Sequence, residues 1–477
     1  MLRRVDVPAG VPQQLVDGLA ALRSRLEIPG AFPTDVVAEA EQRASAGPAA
    51  GVDRRDRTDL ELVTIDPPGA RDLDQALHLR RDGDGYLVSY AIADVAAFVA
   101  AGDPVDAEAH RRGLTFYAPV HRTPLHPPVL SEGAASLLAG QDRPALLWTL
   151  RLDSDGKLTD ADVTRATVRS RQQLSYQQAQ AEIDSGSARE TLALLQLVGE
   201  LRLHRERDRG GVSLPIPEQE VHTDSGRWTL GFRAPLPVDG WNAQISLLTG
   251  MAAADIMLYG QVGILRTLPE PDNAALRRLR QTAKALHIRW PPELDYPVFI
   301  WSLDPERPDH AAMLDACTSL FRGAGYRAFS AGLPEDVEHA ALASEYAHVT
   351  APLRRLADRY AGEICVAMCA GQPVPDWVLR QLDALPEEMM AAERKAKKYE
   401  RGILDLVEVF VLADQVGEVF TGTVIEVDAE ADRGVVLVKE PAVEARVRGA
   451  NLPLGHEVSL RLASADYATG AVEFELA

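Results

Sequence analysis

Three carboxylates fall within nine residues of the chain, in Asp66-Pro67-Pro68-Gly69-Ala70-Arg71-Asp72-Leu73-Asp74. Asp72 and Asp74 are two apart, so an extended backbone points both side chains to one side. The turn forced by Pro67-Pro68-Gly69 brings Asp66 back toward them. Three acids gathered at a strand end repel one another unless a cation neutralises them. Hard oxygen donors with no His or Cys nearby favour magnesium, or manganese, over zinc. Acid-rich turns are more often solvated loops, but two details separate this one from them. The acids lie between apolar runs (Leu60, Leu62, Val63 and Ile65 before, Ala76, Leu77 and Leu79 after), and two prolines stiffen the turn, which suits a preorganised site.

Holding such a site requires a large core, and 477 residues are enough for two to four domains. The hydrophobic share of 46% and the charged share of 25% are ordinary for a globular protein. A formal net charge of -20 disfavours a protein that grips nucleic acid with its whole surface, while leaving room for a locally basic channel. The three cysteines, Cys317, Cys365 and Cys369, have no paired spacing, which argues against a disulfide framework and for a reducing compartment. Cys365 and Cys369 stand one helical turn apart and read as core thiols. Met1 to Asp6 lacks an apolar signal core, and no run approaches the length of a membrane span. A cytoplasmic location without membrane contact is expected.

Stepping along the chain, Leu15, Leu19, Leu22 and Leu26 recur at helical spacing, and Pro29-Gly30 ends that run. Thr34 or Asp35 is placed to cap a second helix through Val36, Val37 and Ala40. Residues 1–57 are thus expected to form a small helical domain, either helix-turn-helix-like or a simple cap. From Asp59 to Arg171 the chain reads mostly as strands, with hairpin turns at Asp82-Gly83-Asp84-Gly85 and Asp153-Ser154-Asp155-Gly156. Gly113 to Ser131, rich in proline, reads as a long ordered loop. Residues 172–208 read as helical, with Leu192, Leu195, Leu197 and Leu201 as the buried stripe. Val221 to Leu230 is hairpin-like, and Trp241 to Leu265 reads as an apolar core helix. Helices and turns alternate from 273 to 413, and residues 391–401 carry dense positive charge read as a solvated helix face. After Gln415, five short strands (Val416–Ile425, Val435–Val438, Ala445–Val447, Val458–Leu462, Val472–Leu476) suit a small OB barrel.

These segments resemble the ribonuclease II/ribonuclease R (RNB) family of 3′-to-5′ exoribonucleases over residues 58 to 477. The acidic stretch matches the family's metal-site signature, and Ile92-Ala93-Asp94-Val95 matches the strand after it. Gly113, Thr115, Tyr117 and Pro119, then Pro124-Leu125, Leu130-Ser131 and Ser136-Leu137, match its long loop. His348, Thr350, Pro352, Leu353, Arg354, Arg355 and Asp358 match its late basic motif. Each motif alone is weak; their order and spacing carry the specificity. The resemblance implies an α+β multidomain fold. Its parts are an N-terminal helical domain (1–57), an RNB-type catalytic domain of mixed sheet and surrounding helices (58–413), and a C-terminal OB-fold RNA-binding domain (414–477).

It also implies roles. Asp66, Asp72 and Asp74 would hold two magnesium (or manganese) ions, which activate water and stabilise charge on the phosphate and the leaving 3′ oxygen. Asp74 is the acid on which catalysis would depend most directly. Arg354 would brace the phosphate oxygens, a task that suits a guanidinium fork better than an ammonium, with Arg355 as a further substrate contact. Tyr117 would pack against the 3′-terminal nucleotide, where stacking tolerates any base; a core tyrosine is the plain alternative. His348 is assigned no chemistry. The substrate implied is single-stranded RNA in a narrow channel, distinguished from DNA by contacts to the 2′-OH. The products are nucleoside 5′-monophosphates, and the protein is expected to act as a monomer.

Three departures from the family pattern matter. Gln75 replaces the usual fourth aspartate; its amide brings no charge, so the second cation is expected to bind more weakly. Ala351 and Leu356 replace the usual Ser and Tyr, Gly362-Glu363 the usual His-Arg, and Leu214 the phenylalanine before Pro217-Glu218, so the grip on the 3′ end is expected to differ. Residues 1 to about 55 read as helical where the family has a pair of cold-shock barrels, so RNA entry does not carry over. The rival reading is an RNA-binding protein on the same scaffold, silent because of Gln75. A response-regulator-like or phosphatase domain built on a strand-end aspartate is disfavoured by the C-terminal barrel and the lack of a doubly wound pattern.

Overall fold

β1 (Arg55–Ile65), β2 (Gln75–Asp82), β3 (Gly85–Ala93), β4 (Asp142–Leu152) and β5 (Leu158–Leu174) close into a barrel. Successive strands run antiparallel, and a parallel pairing of β1 with β5 closes the sheet. The computed structural model describes residues 13–118, 122–214, 218–224, 227–233, 235–305, 307–428, 431–467 and 469–477. Met1 to Asp6, Pro119 of the loop motif and Pro217 of the Pro-Glu pair lie outside the described residues. Both Asp-Gly turns form hairpin tips, with Gly83 at φ +61° and Gly156 at φ +71°, a region that L side chains rarely adopt. Alternation along the strands sorts side chains between two cores. Val63, Leu77, Tyr90, Trp148 and Leu150 join one; Leu62, Ala76, Ala91, Ala145 and Leu147 join the other.

Helices cover the face of the larger side chains. These are α4 (Tyr176–Asp184), α5 (Glu190–Asp208), α6 (Pro237–Gly260) and α10 (Leu356–Cys369), and Leu192, Leu195, Trp241, Ile245, Tyr360 and Ile364 complete that core. β5 runs on to Leu174 before Ser175 caps α4 in a capping box with Gln178, so the helical segment starts later than expected. Of the expected stripe, Leu192 and Leu195 are fully buried and Leu197 and Leu201 only partly. Trp241 to Leu265 is not one helix. α6 ends at Gly260, Gln261 takes a left-handed φ of +58°, and β8 (Gly263–Thr267) pairs with β9 (Gly325–Phe329). An apolar run alone does not tell a buried helix from a buried strand. α3 (Pro104–Arg112) interrupts the strand region; the signals for it were Asp103 as cap and Pro104 in the first turn.

The two N-terminal helices do not pair into a unit of their own. α1 (Gln13–Arg25) buries Leu15, Leu19 and Leu22 in one core with Ile403 and Leu406 of α12 (Leu385–Leu412). α2 (Thr34–Ala46) places Val36 and Ala40 against Leu60 and Leu62. Pro33, not Thr34 or Asp35, occupies the cap position of α2 and supplies no side-chain bond. On α12, Arg394, Lys397 and Lys398 are exposed, as expected of a solvated face.

Between the two barrels lie β6 (Glu218–Asp224) with β7 (Arg227–Arg233), α7 (Asn273–Ala285), α8 (Tyr296–Trp301), α9 (Pro308–Cys317), β10 (Glu338–His339) with β11 (Ser344–Glu345), and α11 (Asp376–Leu382). The second barrel orders its strands as β12 (Val419–Asp428), β13 (Arg433–Val438), β14 (Val443–Arg448), β16 (Ala471–Leu476) and β15 (Glu457–Asp466). Gly422 lets β12 pair on both edges; a Cβ there would lie 2.7 Å from Leu460 and 3.1 Å from the Leu437 carbonyl. Cys317 and Cys365 are buried thiols and Cys369 is half-buried. Among the described residues no helix is long and apolar enough to cross a membrane.

Gly250 of α6 is where the helix supports the segment leading to the basic motif. Its carbonyl accepts the Ala347 N–H at 3.0 Å, and a Cβ would stand 2.1 Å from the Tyr346 ring and 2.6 Å from the Ala347 carbonyl. Gly250→Ala is therefore expected to cost about 1–3 kcal/mol by overpacking. The measurement is a urea midpoint that falls at unchanged slope; an unmoved midpoint would refute this packing.

Candidate active site

Each acid is set by a different piece of backbone. Asp66 directly follows β1, and its N–H donates to the Leu174 carbonyl at 3.0 Å, which lengthens the β1–β5 pairing. In the turn after it, Gly69 adopts φ +75° and the Ala70 N–H donates to the Pro67 carbonyl at 3.1 Å. The returning chain is clamped by buried Ser136. Its hydroxyl donates to the Arg71 carbonyl at 2.5 Å and accepts the Leu73 N–H at 3.0 Å. The Leu137 N–H donates to the Leu73 carbonyl at 3.0 Å, so the backbone on both sides of Asp72 is held. Asp74 stands at the entry to β2, its carbonyl accepting the Ala93 N–H at 2.9 Å.

The opposite wall is the loop from Thr350 to Leu356. The Ala351 N–H donates to Asp358 Oδ1 at 2.6 Å, and Arg355 donates to the same carboxylate through Nε (3.0 Å) and Nη2 (2.7 Å). The Thr115 N–H donates to the Arg354 carbonyl and the Leu356 N–H to the Gly113 carbonyl, both at 3.0 Å. The proline-rich segment and the basic loop thus pair as a short ribbon that brings Tyr117 and Arg354 to the acids.

The two walls meet at Asp74. Its Oδ1 accepts the Leu353 N–H at 2.8 Å, and Arg354 Nε lies 3.3 Å from its Oδ2. Tyr117 Oη donates to Asp72 Oδ2 at 3.4 Å, and Arg122 bridges Asp72 and Glu132. Burial pushes the Asp74 carboxyl up to about 8; Arg354 and the Leu353 N–H oppose that rise and Asp72 adds to it. Burial raises the Tyr117 phenol, and nearby Asp72 raises it further. Burial pulls the Arg354 guanidinium down, but Tyr117 and Asp74 more than offset this. Arg354 nevertheless keeps 33% of its side chain accessible.

The structure therefore gathers Asp72, Asp74, Tyr117 and Arg354 into one network. Asp66 lies at the end of β1, where its charge reaches the buried Tyr90 phenol, which itself bonds Ser246 at 2.8 Å. Two assignments change in detail. The Arg355 fork is turned to Asp358 and braces the loop, rather than lying open to substrate. Gln75 Nε2 donates to the Thr350 carbonyl at 2.6 Å, which ties strand to loop. Asp94 stays outside the site, paired with Arg54 (3.2 Å) and Arg165 (3.0 Å). Glu363 pairs with Arg165 at 2.6 Å. His348 bonds Tyr326 Oη through Nδ1 at 2.7 Å, a packing role. Arg122 and Glu132 carry no signal in the sequence, since nothing local distinguishes them from other loop charges.

Whether these residues suit a divalent cation turns on donors and charge. Asp66, Asp72 and Asp74 offer only hard oxygens, and burial and Asp72 disfavour the charged form of Asp74, so a cation bound there would restore its carboxylate. Guanidinium groups meet that demand here: Arg122 at Asp72 and Arg354 at Asp74. Among the described residues no three His, Cys, Asp or Glu side chains converge on a point that would hold a metal ion. The residue types and charge fit, while Asp72 would have to turn from Arg122 to ligate.

Comparison with known proteins matches the family described as RNB domain to residues 54–369, and the RNase II-type exonuclease C-terminal S1 domain to residues 418–477. Ribonuclease R of Aquifex aeolicus is 26% identical over 98% of the chain and 71% of its own length. Ribonuclease R of Escherichia coli is 28% identical over 89% of the chain, which spans 52% of that protein. RNase R of Mycoplasma genitalium in complex with ribose-methylated single-stranded RNA shares the fold with a TM-score of 0.86, at 19% identity over 98% of this chain and 78% of that one. Yeast Ssd1, a pseudonuclease, shares it with a TM-score of 0.68, at 17% identity over 88% of this chain and 53% of that one.

The tie between Gln75 and the loop can be cut by one substitution. Gln75→Asp removes the donated N–H and sets a carboxylate against the Thr350 carbonyl, at an expected cost of about 1–3 kcal/mol. Urea denaturation in the presence of chelator reads it; a variant as stable as the parent would detach Gln75 from the loop.

Proposed function

The chain belongs to the RNB-domain family of 3′-to-5′ exoribonucleases, of the ribonuclease II and ribonuclease R type, and on that premise we propose an active enzyme acting from the 3′ end of single-stranded RNA. It releases nucleoside 5′-monophosphates and serves RNA turnover in the cytoplasm. The observation that carries this reading is the shared Asp74 carboxylate. One oxygen faces the Leu353 N–H and the other Arg354, within a network that reaches Asp72 and Tyr117.

Nucleases of the family are metal-dependent. Magnesium, or manganese, would be held by Asp66, Asp72 and Asp74, and when bound supplies an activated water and charge stabilisation at the phosphate. The chain's own groups do the positioning. The Leu353 N–H fixes the orientation of Asp74. Arg354, beside Asp74 and a third accessible, is placed to brace phosphate oxygens with its guanidinium. Tyr117, anchored through its hydroxyl to Asp72, offers its ring to the last base. Arg355 locks the loop through Asp358. Gln75 holds the same loop and adds no charge.

That missing charge favours a second reading, a scaffold that binds RNA without cutting it. End-labelled RNA incubated with magnesium separates the two. A ladder descending to short oligomers is expected, whereas a shifted complex with intact RNA would establish the binder. Asp74→Asn is expected to keep RNA affinity within about threefold while turnover falls by roughly a hundredfold or more, the range for removing a group that acts in the transition state. Equal loss of binding and turnover would remove Asp74 from the chemistry.

A further inference from the structure

One concentration of positive charge lies outside that site. Between Asn273 and Pro292 the chain carries Arg277, Arg278, Arg280, Lys284, His287 and Arg289 without an Asp or Glu, in a protein of net charge -20. Leu279, Ala283 and Leu286 bury one stripe of this segment, and Arg277, Arg278, Lys284, His287 and Arg289 are exposed. Among the described residues no ion pair engages Arg277, Arg278, Lys284 or Arg289. A solvated helix ordinarily intersperses both signs, because like charges on neighbouring turns repel.

A groove of about 470 Å³ opens on one side of this segment, lined by Arg280, Ala283, Lys284, Ile288, Trp290 and Pro292, so that of the exposed cations Lys284 stands on its wall. Its floor is built in layers. The Arg280 guanidinium lies 4.4 Å over the Trp290 ring, and Trp290 stacks on Phe299 at 4.0 Å with the planes 2° apart. Arg280 donates to the carbonyls of Pro291 at 3.2 Å and of Pro292 and Leu294 at 3.3 Å, and Trp290 Nε1 donates to the Leu294 carbonyl at 2.8 Å. Both terminal nitrogens of Arg280 and the Trp290 Nε1 are thus bonded to carbonyls of the same segment. Glu293 and Asp295, which follow in the chain, are exposed. The groove also borders the second barrel: Leu279 and Leu286 share a core with Ile425 of β12, and a Cβ on Gly455 would lie 2.2 Å from Leu286.

We propose that this groove is a further contact for single-stranded RNA on the flank of the C-terminal barrel. Phosphates lie on Arg277, Arg278, Lys284 and Arg289, and a base stacks on the Arg280–Trp290–Phe299 layers. Unpaired cations beside a guanidinium plane fixed on an aromatic ring suit a sequence-tolerant strand contact. The choice of RNA among polyanions rests on the nuclease reading; the groove itself does not.

The test reverses three charges in the intact chain, Arg278→Glu with Lys284→Glu and Arg289→Glu. Fluorescence anisotropy is followed in chelator, across a salt series, with a labelled strand of about 30 nucleotides. Each lost phosphate contact lowers the slope of log affinity against log salt by about 0.7, so the expected result is a slope smaller by about two and at least a tenfold weaker complex at low salt. Magnesium-dependent hydrolysis of an oligomer of about five nucleotides, which needs only the acids, Arg354 and Tyr117, is expected to be unchanged. Parental affinity and slope in the variant overturn the proposal. Should hydrolysis of the short oligomer also fall, the Gln variants at the same three positions decide: a parental slope in a folded protein overturns it. A slope that changes with heparin but not with RNA assigns the groove to another polyanion and overturns it as well. A parent without hydrolysis would sink the nuclease reading alone, because binding in chelator is read separately.

Discussion

A carboxylate taken out of water has to be compensated, and Asp74 is only 4% exposed. Its partners, the Leu353 N–H and the Arg354 guanidinium, come from 279 and 280 residues further along the chain. This one junction closes the first barrel against the late loop. Without it Arg354 has no reason to face the acids, and Asp74 loses the guanidinium beside it. The cost of burying the charge is thereby turned into a fixed distance between two distant segments. Charge-assisted bonds of this kind are directional, so they set orientation as well as distance.

The rest of the scaffold can be understood as support for that junction. Alternation in the barrel strands feeds two cores, and helices seal the face of larger side chains. Ser136 clamps the acidic return, Asp358 clamps the basic loop, and Gln75 ties the two together. Clamps made from buried side-chain-to-backbone bonds are costly to break, which suits a site whose charged groups must stay close despite their repulsion. Arg122 serves the same end from the proline-rich loop by meeting Asp72 and Glu132 at once.

The electrostatics work at two scales. A net charge of -20 keeps most of the surface from gripping a polyanion. Cations are concentrated where they are needed: Arg354 at the acids, and the cluster from Arg277 to Arg289 beside the second barrel. An acidic body with local basic contacts confines a strand to particular paths, since repulsion elsewhere discourages unproductive binding.

Much of this organisation was legible in the amino-acid order because it depends on near neighbours. The spacing of Asp72 and Asp74, the stiff turn after Asp66, the Asp-Gly hairpin tips and the five strands of the second barrel all follow from backbone periodicity and turn chemistry. The motifs that carry Tyr117, Arg354 and Asp358 could be placed by their order along the chain. What only the tertiary structure decided was pairing across long separations. Arg355 turns to Asp358, Gln75 reaches Thr350, Arg122 holds Asp72, and α1 and α2 dock on different parts of the body instead of on each other. Periodicity states which face of an element is buried but not against what, and a polar side chain takes its partner from whatever packing brings within about 3 Å. Local order therefore determined the pieces and their chemistry, and the packed core determined which charges meet.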